Sequence, residues 1–320
     1  MKTKFKRNLK CFCCNNNDFK FYDRYYHGRR LNIKNILICN NCKLKQADLI
    51  PDDELLKSFY NDINTRQLFE LKKDPGYSFK YFDSYLKFIF LKTKLNTKDE
   101  LNVIDIGAGN GRTLLQFKNL SKWNALGIEP DKIKCKILNF FNLNYINDTF
   151  QNIDFKLKDN FYNLAIISQV LEHISDPKSI LKIIHNKLRP NGYIWIDVPL
   201  CNKNYFSSRI IDDVGHLYFF DQNTLRNLIN DCNFDIVASG SFGKKIATSR
   251  KLTSSILLLI KYYLHRYLPL KILNLRKNFQ KKNNDFKIND VKEMFNSNNT
   301  NIDENNFENS KLFFLLKKKK

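Results

Sequence analysis

The sequence lacks long hydrophobic segments, has few glycines and prolines, and is short of acidic residues. It has no run of about 18 uncharged apolar residues, so we expect no membrane-spanning helix. The basic start from Met1 to Lys10 leads into cysteines rather than into an apolar stretch, so we expect no secretory signal peptide. Glycine and proline number only 10 and 7 among 320 residues, and a hydrophobic content of 43% with 14% aromatic residues excludes a disordered or fibrous protein. We therefore predict a cytoplasmic protein, in which thiols stay reduced.

The shortage of acidic residues gives a formal net charge of +22, from 54 Lys+Arg against 32 Asp+Glu. The excess lies at the ends: residues 1–50 carry 12 basic and 3 acidic side chains, and residues 241–320 carry 18 and 6. Residues 51–240 are nearly balanced, at 24 and 23. A nucleic-acid groove binder concentrates basic side chains on one face. The charge distribution therefore favours a partner other than nucleic acid.

Five of the eight cysteines fall within the first 42 residues. Four of them form two C-x2-C pairs, Cys11 with Cys14 and Cys39 with Cys42. Each pair can bring two thiolates to one ion, and two pairs complete a closed tetrahedral site, which predicts structural zinc. About 50 residues cannot build a sufficient core alone, so a metal would stabilise them. The alternatives are chance clustering of free cysteines and a redox pair, and Cys13 is left over as a spare.

From residue 101 onward, short apolar runs alternate with segments of helical spacing. The predicted strands are Leu101–Ile106, Ala125–Ile128, Leu143–Asn147, Tyr162–Ser168, Gly192–Val198 and Phe234–Ser239. The predicted helices are Arg112–Leu120, Asp131–Phe141, Asp176–Leu188 and Gln222–Asp231. This alternation predicts an α/β fold with a doubly wound, Rossmann-like sheet that binds its ligand at the carboxyl ends of the strands.

The composition divides the chain into four parts. We predict a zinc-binding ribbon over 1–50 with strands near Phe19–Tyr26 and Leu31–Ile38, a helical linker or cap over 51–100, the α/β domain over 101–248, and a basic, helical and partly disordered tail over 249–320. The predicted helices of the cap are Asp52–Asn61, Thr65–Lys72 and Phe79–Leu91. In the tail, the apolar helix Leu252–Leu275 could lie on a membrane surface or dock on the protein body, and we favour docking.

A glycine-rich turn, Gly107–Gly111, follows the first strand of the α/β domain. Its spacing is G-x-G-x-G, and Arg112 stands where a dinucleotide-binding turn would have its last glycine or alanine. Asp105, just before the turn, suits a cationic or amine-bearing ligand, and Glu129 at the next strand end could accept both hydroxyls of a ribose. The combination fits S-adenosylmethionine, and the alternative is an ordinary tight turn.

Residues 101–240 resemble the class I S-adenosylmethionine-dependent methyltransferase family. VIDIGAGNG (103–111) and ALGIEPD (125–131) are similar to its first two motifs. FYNLAIISQVLEHISDPKSIL (161–181) and LRPNGYIWIDVP (188–199) are similar to its later strand–helix–strand region. The cysteine pairs followed by an acidic, Tyr-containing segment (Asp52–Tyr60) resemble a subgroup of bacterial surface-polysaccharide and modified-sugar pathways.

The resemblance implies methylation of a small activated sugar or a cell-surface polysaccharide precursor, at an oxygen, nitrogen or carbon atom that the sequence leaves open. The cofactor-binding residues that follow from the turn and the resemblance are Asp105, Gly107, Gly109, Gly111, Glu129, Asp148 and Gln169. Two rival interpretations are an RNA methyltransferase that grips phosphates with its ribbon and basic ends, and a non-catalytic zinc-ribbon interaction protein.

Histidines supply the acid–base candidates. His173 follows the fourth strand, and we favour a structural or cofactor-pocket role for it, whereas His185 lies within a helix. His216 belongs to a stretch, 213–221, that resembles the one carrying a general-base histidine beside an acidic residue in related sugar C-methyltransferases. Gly215 replaces that acidic neighbour here. His216 is the predicted catalytic residue, with a structural loop histidine as the alternative.

Overall fold

The computed structural model describes residues 5–7, 9–26, 33–51, 84–96, 98–120, 122–201, 216–245 and 302–319. The strands are β1 (Phe5–Arg7), β2 (Phe19–Tyr26), β3 (Ile33–Cys39), β4 (Lys45–Ala47), β5 (Leu49–Pro51), β6 (Asn102–Ile106), β7 (Asn124–Ile128), β8 (Tyr145–Ile146), β9 (Tyr162–Ser168), β10 (Leu188–Pro199), β11 (Tyr218–Phe219), β12 (Phe234–Lys245), β13 (Ile302–Glu304) and β14 (Asn309–Lys318). The helices are α1 (Ser84–Lys92), α2 (Arg112–Leu120), α3 (Lys132–Phe140), α4 (Phe150–Ile153), α5 (Pro177–Lys187) and α6 (Gln222–Asn230).

Some sequence predictions fall outside the described residues. These are the helices Asp52–Asn61, Thr65–Lys72 and Leu252–Leu275, the start of Phe79–Leu91, and the tail up to residue 301. Membrane contact through the C-terminal helix therefore stays a prediction. No helix within the described ranges has both the length and the apolar character needed to cross a bilayer.

The central sheet has eight strands in the order β13-β12-β14-β10-β9-β6-β7-β8. The five strands from β10 to β8 are parallel, and the apolar residues of the inner strands β6 and β9 are buried, as parallel strands covered on both faces require. The chain runs from β6 outward to β7 and β8 and then returns to β9 on the other side of β6. Open α/β sheets bind ligands at such a reversal of strand order. The predicted α/β fold is confirmed.

The C-terminal residues do not form a disordered tail where the structure describes them. The predicted helical and partly disordered tail is wrong for 302–304 and 309–318, which form strands, and β14 lies between β10 and β12 and pairs antiparallel with both. The five residues Leu312–Leu316 are each 0% exposed. The lysines around this run suggested a solvated tail, but they lie at the strand ends, where Lys318 Nζ donates to the Leu188 carbonyl (2.8 Å). Pairing with β14 also explains why β12 continues beyond the predicted end at Ser239.

Phe313 gives a direct test of this correction. Its ring is fully buried and stacks on Trp195, with ring centroids 4.8 Å apart. Phe313→Ala is expected to lower the free energy of unfolding by about 3–5 kcal/mol, because it leaves a cavity in the core. Urea denaturation measures this change, with Phe155→Ala as the control, since Phe155 is 75% exposed. Equal stability of the two variants would mean that β14 is not part of the core.

The N-terminal strands form a second sheet, in the order β11-β4-β3-β2. The predicted hairpin is confirmed, because β2 and β3 pair antiparallel. Phe19 lies opposite Cys39 at one end of the pair, and Tyr26 lies opposite Ile33 at the other. The edge strand β11 comes from the middle of the chain and pairs antiparallel with β4. The Ala47 amide also donates to the Leu217 carbonyl (2.9 Å). The cysteine-rich module therefore shares a sheet with the residues that directly follow His216.

Candidate active site

The glycine turn connects β6 to α2 at the point where the strand order reverses. Gly107, Gly109 and Gly111 all have positive φ angles, of 74°, 58° and 76°. A Cβ atom on Gly107 would lie 2.3 Å from Val170 Cγ2, and one on Gly111 would lie 2.4 Å from a Leu138 methyl carbon. These two glycines are needed for packing. A Cβ on Gly109 would meet nothing closer than 3.9 Å, so this glycine leaves open space for a ligand.

Glu129 directly follows β7, lies beside this turn and is only 3% exposed. Its Oε2 accepts a hydrogen bond from the Gly109 amide (2.7 Å), and its Oε1 accepts one from the Asp131 amide (2.9 Å). Burial raises the pKa of this carboxyl above its usual range. A fixed, buried carboxylate that touches the turn is suited to accept the hydroxyls of a ribose. The turn and Glu129 together fit S-adenosylmethionine.

The remaining predicted cofactor residues differ in how close they come to this turn. Asp105 is buried within β6, two residues before the turn. The Asp148 carboxylate accepts from the Thr149 amide (2.7 Å) and from Asn152 Nδ2 (2.8 Å), so it is engaged at the start of α4. Gln169 follows β9 with a φ of 56°, and its Nε2 donates to Asp197 Oδ1 (2.8 Å). The roles of these three residues stay predictions.

His216 lies in a buried cluster with Glu172 and His173. Its Nε2 atom is 3.8 Å from Glu172 Oε1, and His173 Nε2 is also 3.8 Å from that oxygen. Glu172 is 1% exposed and His216 is 5% exposed. The segment that carries Glu172 also carries Val170, which packs against Gly107, so the cluster lies at the same sheet edge as the glycine turn.

Sequence reasoning missed the acidic partner of His216. The neighbour of His216 in the chain is Gly215, which takes the place of an acid. In the fold, Glu172 supplies the carboxylate from a short 3-10 helix after β9, Leu171–His173. The Leu217 amide donates to the Glu172 carbonyl (2.8 Å), which fixes the two segments to each other. The available signal was the Glu172–His173 pair in the LEH sequence, but its proximity to His216 depends on the tertiary structure.

The four predicted cysteine ligands do come together. Cys11 Sγ lies 3.4 Å from Cys42 Sγ, and Cys14 Sγ lies 3.5 Å from Cys39 Sγ. All four sulfur atoms lie within 4.8 Å of one another, as a tetrahedral zinc–thiolate site requires. The hydrogen bond with Cys42 and burial raise the pKa of the Cys11 thiol. A bound zinc ion would replace the protons of these crowded thiols, so the residues fit the metal.

A sheet with five parallel strands, and with a glycine turn and a buried carboxylate at its switch point, is typical of a Rossmann-like cofactor-binding domain. A family model described as a methyltransferase domain matches residues 65–239, which is more than half of the chain. The chain therefore belongs to this methyltransferase family and contains an S-adenosylmethionine-dependent methyltransferase domain. The prediction of an enzyme is confirmed.

Three known proteins illustrate this similarity. The tRNA U34 carboxymethyltransferase of Campylobacter fetus subsp. fetus is 27% identical over 181 residues, which cover 52% of this chain and 60% of that protein. The mitochondrial ubiquinone biosynthesis O-methyltransferase of Dictyostelium discoideum is 25% identical over 122 residues, which cover 33% of this chain and 37% of that protein. The crystal structure of the cyclase SpnF has a TM-score of 0.51 at 13% identity and covers 84% of this chain and 98% of that one, a likeness of fold alone.

The comparisons leave the acceptor open. The chain spans about 60% or less of the length of these two curated relatives. Neither relative is named as a sugar- or polysaccharide-pathway enzyme, so that part of the predicted resemblance stays a proposal. The expectation that nucleic acid is not a partner is not supported either, because one relative is named for tRNA.

Glu129→Ala tests the ribose role of Glu129. The variant is expected to bind S-adenosylmethionine about 10- to 150-fold more weakly, since a hydrogen bond to a charged group contributes about 1.5–3 kcal/mol. Isothermal titration calorimetry measures the dissociation constant, and Glu100→Ala is the control, because Glu100 is exposed at the start of the same domain. An unchanged dissociation constant in Glu129→Ala would remove Glu129 from the ribose site.

Proposed function

We propose that this enzyme transfers a methyl group from S-adenosylmethionine to a hydroxyl of a small polyhydroxylated acceptor, such as an activated sugar or a cell-surface polysaccharide precursor. The observation that carries this proposal is the buried pair of His216 and Glu172 at the same sheet edge as the glycine turn. A hydroxyl is a poor nucleophile until its proton is drawn away, whereas a neutral amine needs no such help. A histidine supported by a carboxylate is suited to that task.

The proposal gives each part of the site a task. Bound S-adenosylmethionine would supply an electrophilic methyl carbon, and in-line attack by the acceptor oxygen would release the uncharged thioether. The glycine turn and Glu129 hold the cofactor so that this methyl faces the acceptor. His216 activates the acceptor hydroxyl, and the negative charge of Glu172 stabilises positive charge that develops on the imidazole. The proposed zinc at the four cysteines is structural, because four thiolates leave no open coordination position.

The burial and charge of the site support a small acceptor. His216 is 5% exposed, so a slender group reaches it more easily than a folded nucleic acid does. Residues 51–240 carry 24 basic and 23 acidic side chains, whereas RNA binding relies on an excess of basic residues facing the phosphates. The Dictyostelium relative, named as an O-methyltransferase, is consistent with transfer to oxygen.

A tRNA acceptor is the second candidate. It is favoured by the similarity to a tRNA U34 carboxymethyltransferase and by the basic residues at the two ends of the chain. This candidate predicts substrate binding that weakens steeply as the salt concentration rises, because each phosphate contact releases counterions.

The acceptor that receives a labelled methyl group, a nucleotide sugar or tRNA, distinguishes the two candidate functions. The enzyme and methyl-tritiated S-adenosylmethionine are incubated in parallel with a panel of nucleotide sugars and with unmodified tRNA transcripts. We expect the label in the acid-soluble sugar fraction. Label in acid-precipitable material that ribonuclease releases would overturn the sugar proposal and support the tRNA candidate. Buffer of high ionic strength is the control, because it suppresses tRNA modification far more than methylation of a small sugar.

A further inference from the structure

Glu172, His173 and His216 bring a carboxylate oxygen and two imidazole nitrogens close to one point. Both Nε2 atoms lie 3.8 Å from the same oxygen, Glu172 Oε1, and one ligand atom from each residue lies within 4.8 Å of the others. The two imidazole rings meet at 65° with centroids 4.6 Å apart. Glu172 and His216 are buried and His173 is partly exposed, so the cluster can be reached from one side.

These separations suit the ligands of one metal ion. Bonds of about 2.0–2.2 Å from an ion to nitrogen and oxygen put two ligand atoms at most about 4.0–4.4 Å apart. The two nitrogen–oxygen separations of 3.8 Å satisfy that limit. Rotation of the side chains can bring the remaining pair of ligand atoms, which lie within 4.8 Å of each other, inside it as well. Two imidazoles and one carboxylate favour transition-metal ions such as Zn²⁺ or Mn²⁺, whereas Mg²⁺ and Ca²⁺ prefer oxygen ligands.

The backbone holds the two segments of the cluster in place. The Leu217 amide donates to the Glu172 carbonyl (2.8 Å), and the His173 amide donates to the Val170 carbonyl (2.9 Å). Tyr218 Oη donates to the Ser175 carbonyl (2.8 Å) and ties the strand after His216 to the same loop. Ligands that are fixed before an ion arrives lose little conformational freedom when they bind it.

We infer that Glu172, His173 and His216 bind one divalent transition-metal cation, separate from the four-cysteine site. Three protein ligands leave coordination positions open, as in catalytic rather than structural metal sites. This inference rests on the proposed function for its role: the open positions would hold the acceptor oxygens beside the glycine turn. A sugar with two adjacent hydroxyls, or a hydroxyl next to a carbonyl, could occupy two of them.

The cation refines the part that His216 plays in the proposed reaction. As a metal ligand, His216 would activate the hydroxyl through the ion, which lowers the pKa of an oxygen bound to it. The hydroxyl proton passes to solvent water, and the oxygen forms a bond to the methyl carbon as the carbon–sulfur bond breaks. The electron pair of that bond stays on sulfur, and the thioether leaves uncharged.

Titration with Mn²⁺ tests the site in the whole chain after it has been brought to one zinc ion per chain, the amount that the four cysteines would hold. Mn²⁺ prefers nitrogen and oxygen to thiolate, so it leaves the cysteine site undisturbed, and the loss of its free electron-paramagnetic-resonance signal reports binding. We expect one Mn²⁺ per chain. His216→Asn and Glu172→Gln should weaken binding at least tenfold, and His173→Asn is a third variant at a partly exposed position in case Glu172→Gln fails to fold. His185→Asn is the matched control, because His185 lies on α5 outside the cluster.

Methyl transfer is measured after treatment with a mild chelator that leaves one zinc ion per chain. Lost turnover that added Mn²⁺ restores would support the inference. Overturning results are a folded wild-type protein that binds no Mn²⁺, binding that all three variants retain, or turnover that the chelator does not affect. If the chelator leaves turnover unchanged but turnover still falls in His216→Asn, the proposed function stands without the cation. If the cation binds as expected but no hydroxylated acceptor is methylated, the proposed function fails and the site remains.

Discussion

His216→Asn is expected to lower turnover by about 10²- to 10⁴-fold, the usual contribution of a group that activates a nucleophile. The affinity for S-adenosylmethionine should stay nearly unchanged, because the Gly109 and Asp131 amides hold Glu129 in place, whereas His216 contacts Glu172, His173 and Phe219. Steady-state kinetics and calorimetry measure the two quantities.

His185→Asn serves as the control for this substitution and should keep most of the activity. His185 lies on α5, where its Nε2 is 3.4 Å from Asn233 Nδ2. A small fall in turnover together with a large rise in the KM of the acceptor would make His216 a binding residue instead. Unchanged kinetics would remove the cluster from the chemistry.

Cys39→Ser is expected to release the zinc, which should otherwise be present at one ion per chain, and to remove most of the activity. Structural zinc contributes about 10–16 kcal/mol in small zinc modules, so a lost ligand destabilises the whole module. The effect should reach the active site, because β4 of that module pairs with β11 directly after His216. The ring of Phe12, next to Cys11, also packs on Tyr218 of β11, with centroids 5.1 Å apart.

Metal analysis, limited proteolysis and turnover test this expectation together. Cys13→Ser is the matched control, since Cys13 lies in the same stretch but outside the group of four ligands. It should keep its zinc and its activity. A zinc-free wild-type protein whose N-terminal residues resist protease would contradict the metal site. A zinc-free but fully active Cys39→Ser variant would show that the module does not support His216.

Local sequence signals predicted the parts of the site that lie close together along the chain. The glycine turn comes directly after β6, so spacing alone placed Gly107, Gly109 and Gly111 at a strand end. Glu129 could be placed in the same way, because consecutive parallel strands bring their carboxyl ends to one edge. The cysteine pairs were recognisable because each C-x2-C motif forms half of the site locally.

Long-range pairing was not predictable from such signals. Glu172 and His216 are far apart in the chain and meet only when the loop after β9 contacts the residues before β11. The run Leu312–Leu316 was a recognisable apolar stretch, but a short run does not reveal which strands it will join. This run pairs with both β10 and β12, and these two strands lie on either side of it only in the folded protein.

The atom that receives the methyl group tests the central claim most directly. The enzyme is incubated with S-adenosylmethionine carrying a ¹³C-labelled methyl group and with the nucleotide sugar that gives the highest turnover. The ¹³C chemical shift of the transferred methyl, and its coupling to neighbouring protons, identify the atom to which it is bonded. We predict a methyl group on oxygen. A methyl group on carbon or nitrogen would contradict the assignment of the His216–Glu172 cluster to the activation of a hydroxyl.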